Sequence, residues 1–250
     1  MVGAAAWVTV SADHKIEEVE ISGGAQLVIA GSAKNLTVDS ITDDNTGYLY
    51  LLSSMQLQIS TLLSPCTLIY HGAELILSDL APNVSLERSV DVHGTLSTLG
   101  APSVYVGAQK GVFTMHPGSG PSSLSFGELI IESSGHLQLL NYDKQSPASC
   151  RWSVALTSSK FTLSDNSKMD VECPFNLTGD QMNIGLNSAL KINGNSSVSY
   201  ISMNGVSIRG SFDPGVLSLL EGWKTLRIER YGDMRSEEHT SELQSRPHIS

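Results

Sequence analysis

The chain has 250 residues, 40% of them hydrophobic, 6% aromatic and 16% charged, with a formal net charge of −10. That acidity argues against nucleic-acid binding, because the one mildly basic group, at 224–230, is interrupted by Glu229. No apolar run reaches the roughly 18 residues that a membrane-spanning helix needs, so no membrane insertion is expected from this segment.

The composition also bears on fold class. With 38 Ser and 14 Thr beside abundant Gly and Val, and few strong helix formers, the chain reads as all-β. The opening Ala4-Ala5-Ala6-Trp7-Val8 is too short, and lacks the basic start, of a signal peptide. Trp7-Val8-Thr9-Val10 alternates as a strand does.

A phrase then appears and keeps returning: a large aliphatic, five residues, a second aliphatic, one residue, a third. Its copies are Ile21/Leu27/Ile29, Leu51/Leu57/Ile59, Ile69/Leu75/Leu77, Ile131/Leu137/Leu139, Leu163/Met169/Val171, Ile184/Leu190/Ile192 and Tyr200/Val206/Ile208. The last two positions share a face only on extended backbone; on a helix the three would scatter around the cylinder. Between them stand Val28, Gln58, Ile76, Gln138, Asp170, Lys191 and Ser207, mostly polar, as outward strand positions should be. The middle of the phrase is small or polar (Gly23-Gly24, Ser53-Ser54, His71-Gly72, Ser133-Ser134, Asp165-Asn166, Ser202), which suits a tight bend. The copy at Ile184 differs in placing Leu186 before Asn187 at its bend.

The phrase therefore predicts strand, corner, strand. Strand-like fragments fill the gaps at Leu36-Thr37-Val38, at residues 90–96 around Gly94, and at Val104-Tyr105-Val106 leading through Gly107 and Gly111 to Val112. Three buried aliphatics cannot offset the entropy of ordering some twenty residues, so neighbouring units must share a core and a hydrogen-bond ladder. The expected architecture is an irregular parallel β-helix, a β-solenoid. Asn193-Gly194 and Asn204-Gly205 are hairpin-type dipeptides, and they keep a β-sandwich as the alternative for the C-terminal third.

The expected organisation is N-terminal rungs over 1–117, a Pro/Gly/Ser-rich connection at 118–125, further rungs over 126–212, and a C-terminal segment at 213–234. A short helix is expected at 213–220, with Pro214 in its first turn. Residues 235–250 are of another kind. Back-translated, Arg235-Ser236-Glu237-Glu238-His239-Thr240-Ser241-Glu242-Leu243-Gln244-Ser245 spells a common sequencing-library adapter. That stretch is read as non-native, and the natural sequence as continuing beyond Met234 in a longer protein.

Three cysteines occur. Cys150 and Cys173 stand about one solenoid turn apart, and rungs some 4.8 Å apart bring two Cα atoms within disulfide reach, so they form the candidate bridge. The competing reading is three buried thiols. Four sequons, at Asn35, Asn83, Asn176 and Asn195, are candidate N-glycosylation sites. Together with the acidity and sparse Lys they point to an extracellular setting.

No metalloprotease, nucleophile-elbow, paired-cysteine or phosphate-loop spacing occurs, and no catalytic, cofactor or metal residue is assigned. His71, His93 and His136 lie near corner glycines, where stacking would give a metal or acid–base column; exposed corner residues are the plainer reading. Asp39, Asp43 and Asp44 suit calcium or a solvated loop. Asp165, Asp170 and Glu172, with Lys160 and Lys168, are the nearest approach to the carboxylates of a sugar lyase. Trp152, Tyr200 and Trp223 are aromatics that sugars stack on, or core residues.

The phrases at 21–29 and 69–77, and above all Gly127-Glu128-Leu129-Ile130-Ile131-Glu132-Ser133-Ser134-Gly135-His136-Leu137-Gln138-Leu139, resemble the weak repeats of parallel β-helix segments in large animal extracellular proteins. Such segments stand beside EGF-like and von Willebrand D modules and in fibrocystin-like receptors. The resemblance spans about residues 7–210 and carries no catalytic residue. It implies a structural, adhesive or partner-displaying segment of a secreted or cell-surface protein, with extracellular protein or glycan partners. The alternatives are a β-helical carbohydrate-active enzyme and a β-sandwich recognition module.

Overall fold

The computed structural model describes residues 5–31, 34–52, 54–107, 109–116, 122–140, 154–192, 199–209, 220–221 and 225–229. In chain order the strands are β1 (Ala5–Val10), β2 (His14–Ile21), β3 (Gln26–Gly31), β4 (Lys34–Asp43), β5 (Tyr48–Leu51), β6 (Met55–Leu63), β7 (Cys66–Ile69), β8 (Glu74–Ser78), β9 (Asn83–Leu86), β10 (Val90–Val92) and β11 (Thr95–Leu99). They continue as β12 (Ser103–Val106), β13 (Val112–Met115), β14 (Ser122–Ile131), β15 (His136–Leu139), β16 (Val154–Leu163), β17 (Lys168–Val171), β18 (Phe175–Ile184), β19 (Ala189–Ile192), β20 (Tyr200–Arg209), β21 (Leu220–Glu221) and β22 (Thr225–Glu229). No helix long and apolar enough to cross a membrane occurs among the described residues.

Every described strand pair is parallel, and apart from β20 with β21 each strand bonds to its counterpart one turn away rather than to its neighbour in sequence. The result is a β-solenoid of about eight turns. One sheet runs β1-β3-β5-β7-β10-β13-β15-β17-β19, and the remaining strands form the other. The β-sandwich alternative for the C-terminal third is thereby corrected. Asn204-Gly205 lies inside β20, which pairs in parallel with β18 and β22, so this dipeptide closes no hairpin. Asn193-Gly194 lies outside the described residues, as does the expected helix up to residue 219; Leu220 opens β21.

The inward residues form columns along the axis. In the first sheet one column reads Leu27, Leu49, Thr67, Val90, Phe113, Leu137, Met169, Leu190. Its companion reads Ile29, Leu51, Ile69, Val92, Met115, Leu139, Val171, Ile192. Except at the ends, where Leu27 and Ile192 are half-buried, these aliphatic and aromatic members are buried in one continuous core. Thr67 is the polar member, and its hydroxyl donates to the Pro65 carbonyl at 2.9 Å, so nothing polar is left unmet.

The long strands of the second sheet turn a corner without breaking. In β14 the inward residues are Leu124 and Phe126, then Leu129 and Ile131; in β20 they are Ile201 and Met203, then Val206 and Ile208. A step of three in place of two inverts the alternation, and a strand so slipped must bend to keep its apolar side inside. The bend falls at Gly127, Ser159, Asp180 and Asn204, each skipped in the ladder. The copy of the phrase at Tyr200 is thus corrected: Tyr200 is exposed, Ile201 takes the inward place, and Ser202-Met203 is no corner.

The other copies do span corners, but two different ones. Ile21, Ile131, Leu163 and Ile184 lead from the second sheet into the first, whereas Leu51 and Ile69 lead the opposite way. Left-handed residues make these corners possible: Ser134, Asn166 and Asn187 have φ of 67°, 62° and 54°. Asn and Ser tolerate that region better than branched residues do. Behind two of them a buried serine closes the turn, with Ser167 Oγ donating to the Ser164 carbonyl and Ser188 Oγ to that of Gly185, both at 2.7 Å.

Ser122–Ser125 belong to β14, and both sheets continue from the turns before residue 117 to those after 126. Residues 117–121, and the 235–250 stretch, lie outside the described residues.

One corner carries a mismatch with a measurable consequence. Glu132, just after β14, has a buried Oε2 with no hydrogen-bond partner. Burial pushes its carboxyl above the ordinary range, and the charge of Glu87 adds to this. A carboxyl whose folded-state pKa is raised favours the fold at low pH, and the advantage is lost as pH rises through that pKa. Glu132→Gln is therefore expected to raise the melting temperature near neutrality, with the gain fading as pH falls through the carboxylate range. Thermal melts of both proteins across that range check it; equal melting temperatures at neutral pH would refute it.

Candidate functional site

Alternation decides which side chains meet on the outer surface. In β10, Val90 and Val92 point inward, so Asp91 points out, and His93 follows on the same outer side. In β13, Phe113 and Met115 point inward, and His116 follows. Val92 pairs with Met115, which places His93 and His116 one directly above the other. Their backbones continue the ladder: His93 N–H donates to Ile69 O and His116 N–H to Val92 O, each at 2.9 Å.

The two imidazoles stack with centroids 3.8 Å apart and planes 14° apart. His71 meets the His93 ring edge-on at 5.6 Å. Asp91 Oδ1 lies 2.6 Å from His116 Nε2 and 3.5 Å from His93 Nε2. The side chain of His116 is 11% exposed, that of His93 27% and that of Asp91 45%. Burial lowers the pKa of His116; Asp91 opposes this, and the charges of His93 and His71 reinforce it. Among the described residues, Asp91, His93 and His116 are the one set of three His, Cys, Asp or Glu side chains whose ligand atoms lie within 4.8 Å of one another.

Sequence reasoning reached this cluster only in part. The corner glycines point to His71 and His93 but give His136 as the third member. His136 stands at the other end of its strand, beside Val112, and its Nε2 lies 2.7 Å from Asp170 Oδ2. In the sequence His116 stands at the end of the N-terminal rungs, just before the Pro/Gly/Ser-rich connection at 118–125, and Asp91 lies in the strand-like fragment at 90–96. The signal that finds them is spacing: His93 and His116 each follow an inward residue and are one turn apart in register.

The other candidates disperse. Asp43 is buried and takes hydrogen bonds from Arg88, Ser64 and Gly47. Asp44 faces Gly23 and Thr46 at an exposed corner, where those donors, Thr46 first, lower its pKa. Asp39 accepts from Ser60 Oγ at 3.0 Å. The three do not converge. Asp165 Oδ1 accepts from Leu186 N–H at 2.8 Å, and Asp170 is engaged by His136, so these carboxylates do not converge either.

A shallow groove of about 550 Å³ is lined by Lys160, Thr162, Asp165, Asn183, Ser207 and Arg209 among others. It offers cations and hydroxyls, with Asp165 as its carboxylate.

Asn35 and Asn83 are exposed and Asn176 is half-buried; Asn195 lies outside the described residues. Cys173 is fully buried, Cys66 is partly buried, and Cys150 lies outside the described residues. Trp152 and Trp223 also lie outside them. In comparison with known proteins, no family model matches this chain, and no curated protein or solved structure matches it either.

Proposed function

We propose that this chain is a non-catalytic spacer and display segment of a secreted or cell-surface multidomain protein. The observation that carries this reading is the uninterrupted inward column from Leu27 to Leu190, whose order is spent on a rod while the outward positions vary. Eight turns at about 4.8 Å each give a rod roughly 40 Å long. Such a body holds flanking modules apart and offers its faces to protein or glycan partners. The exposed sequons at Asn35 and Asn83 fit passage through the secretory pathway.

The test is expression with a secretion signal in animal cells, followed by glycopeptide mass spectrometry. Glycan is expected on at least one of Asn35, Asn83, Asn176 and Asn195, with the exposed pair favoured. Unmodified peptides at all four would overturn the extracellular assignment.

The carbohydrate-active reading keeps one specific support, the groove with Lys160, Asp165 and Arg209. Release of reducing ends or unsaturated sugars from polysaccharides, abolished by Lys160→Ala, would replace the spacer role by that one.

A further inference from the structure

We propose that Asp91, His93 and His116 form a binding site for a first-row transition-metal dication, zinc being the natural occupant. The site lies on two adjacent turns. Asp91 and His93 are two residues apart and share the outer face, while His116 joins them from the next turn. All three ligand atoms already lie within 4.8 Å of one another.

The chemistry of the set chooses the metal. Two imidazoles and one carboxylate are borderline-soft ligands that suit zinc, copper or nickel; calcium and magnesium demand shells of oxygen. Tetrahedral zinc, with bonds of about 2.0–2.1 Å, holds its ligands roughly 3.3 Å apart. The 3.5 Å between Asp91 Oδ1 and His93 Nε2 is close to this; on binding, the 2.6 Å to His116 Nε2 widens as the two stacked imidazoles turn out of parallel to face one ion. Three protein ligands leave a fourth position for water, with His71 edge-on beside His93 as its wall.

A second observation points the same way. Asp91 Oδ1 is itself closed off from solvent, and it faces both imidazole nitrogens, at 2.6 Å from His116 and 3.5 Å from His93, so the three ligand groups already turn toward one point. The backbone beneath is rigid, because Val90 and Val92 are fixed in the core column. The spacer role is not required for this inference: the site would tie two turns together in any biological setting.

The experiment takes the purified full chain, stripped with a chelator, and titrates it with zinc chloride by calorimetry while following the histidine ring nitrogens by NMR. One zinc per chain is expected, with the His93 and His116 ring signals shifting together, and calcium or magnesium at equal concentration producing neither effect. Cobalt(II) is expected to give the visible absorption of a four-coordinate nitrogen–oxygen site. His93→Gln, His116→Gln and Asp91→Asn are each expected to weaken zinc binding tenfold or more, whereas His14→Gln, remote and exposed, leaves it unchanged. Absence of shifts at His93 and His116 in the unmodified protein would overturn the site without reliance on any variant. Equal affinity in the His116→Gln protein, with its β-sheet circular dichroism intact, would overturn it as well.

Discussion

Arg88→Ala is expected to destabilise the solenoid by about 3–5 kcal/mol, the usual consequence of stranding a buried charge. The charge is that of Asp43, whose side chain has no solvent exposure. Asp43 closes β4, and its carboxylate is served from three directions: Ser64 Oγ donates at 2.7 Å, Gly47 N–H at 2.8 Å and Arg88 at 2.5 Å. Arg88 also reaches the Gly47 carbonyl at 3.3 Å. Because residues 43, 64 and 88 lie on successive turns, this cluster is a pin through the side of the stack. Removing the guanidinium leaves two neutral donors facing an ion that water cannot reach. Removing both charges is less damaging, so a double-mutant cycle with Asp43→Ala should show strong positive coupling, the pair costing well under the sum of the singles. Denaturant melts of the four proteins decide it. Additive losses would mean that the two residues act separately.

This pin also shows where sequence reading stops. Asp43-Asp44 reads as a calcium loop or a solvated bend, and nothing near it in the chain announces Arg88, 45 residues on. Finding such a partner requires the turn length, and the phrase conceals it by marking two different corners. The true repeat, read down the column Ile29, Leu51, Ile69, Val92, Met115, Leu139, Val171, Ile192, varies between 18 and 32 residues per turn. Turns carrying Val92 and Met115 escape the phrase because their corners are built differently. The histidine cluster was half-hidden for the same reason. By contrast, the parallel fold and the inward places of Leu57, Leu75 and Leu137 were legible, since burial on one face leaves period-two alternation in any strand, wherever its partner lies. The bends inside β14, β16, β18 and β20 are legible in retrospect as slips in that alternation.

Leu137→Asp puts the column itself to the test and should have the largest effect of any single change. Leu137 is 2% exposed and stacked between Phe113 and Met169. Truncating a buried leucine costs about 2–5 kcal/mol through lost contacts and the cavity left behind. A carboxyl in that place adds the desolvation of a polar group with no partner, several kcal/mol more. The total rivals the whole stability of a domain, about 5–15 kcal/mol. A repeat structure does not confine the loss, because each turn is held by its neighbours. The central turns should therefore lose protection, seen as fast amide exchange across β13, β15 and β17, with a weakened β signal in circular dichroism. The adjacent residue supplies the control. Gln138 faces outward, where Thr114 Oγ1 donates to its Oε1 at 3.3 Å, so Gln138→Thr should change stability by no more than about 0.5 kcal/mol. If the two substitutions behaved alike, the assignment of inside and outside along β15 would fail, and with it the register of every column that passes through this strand.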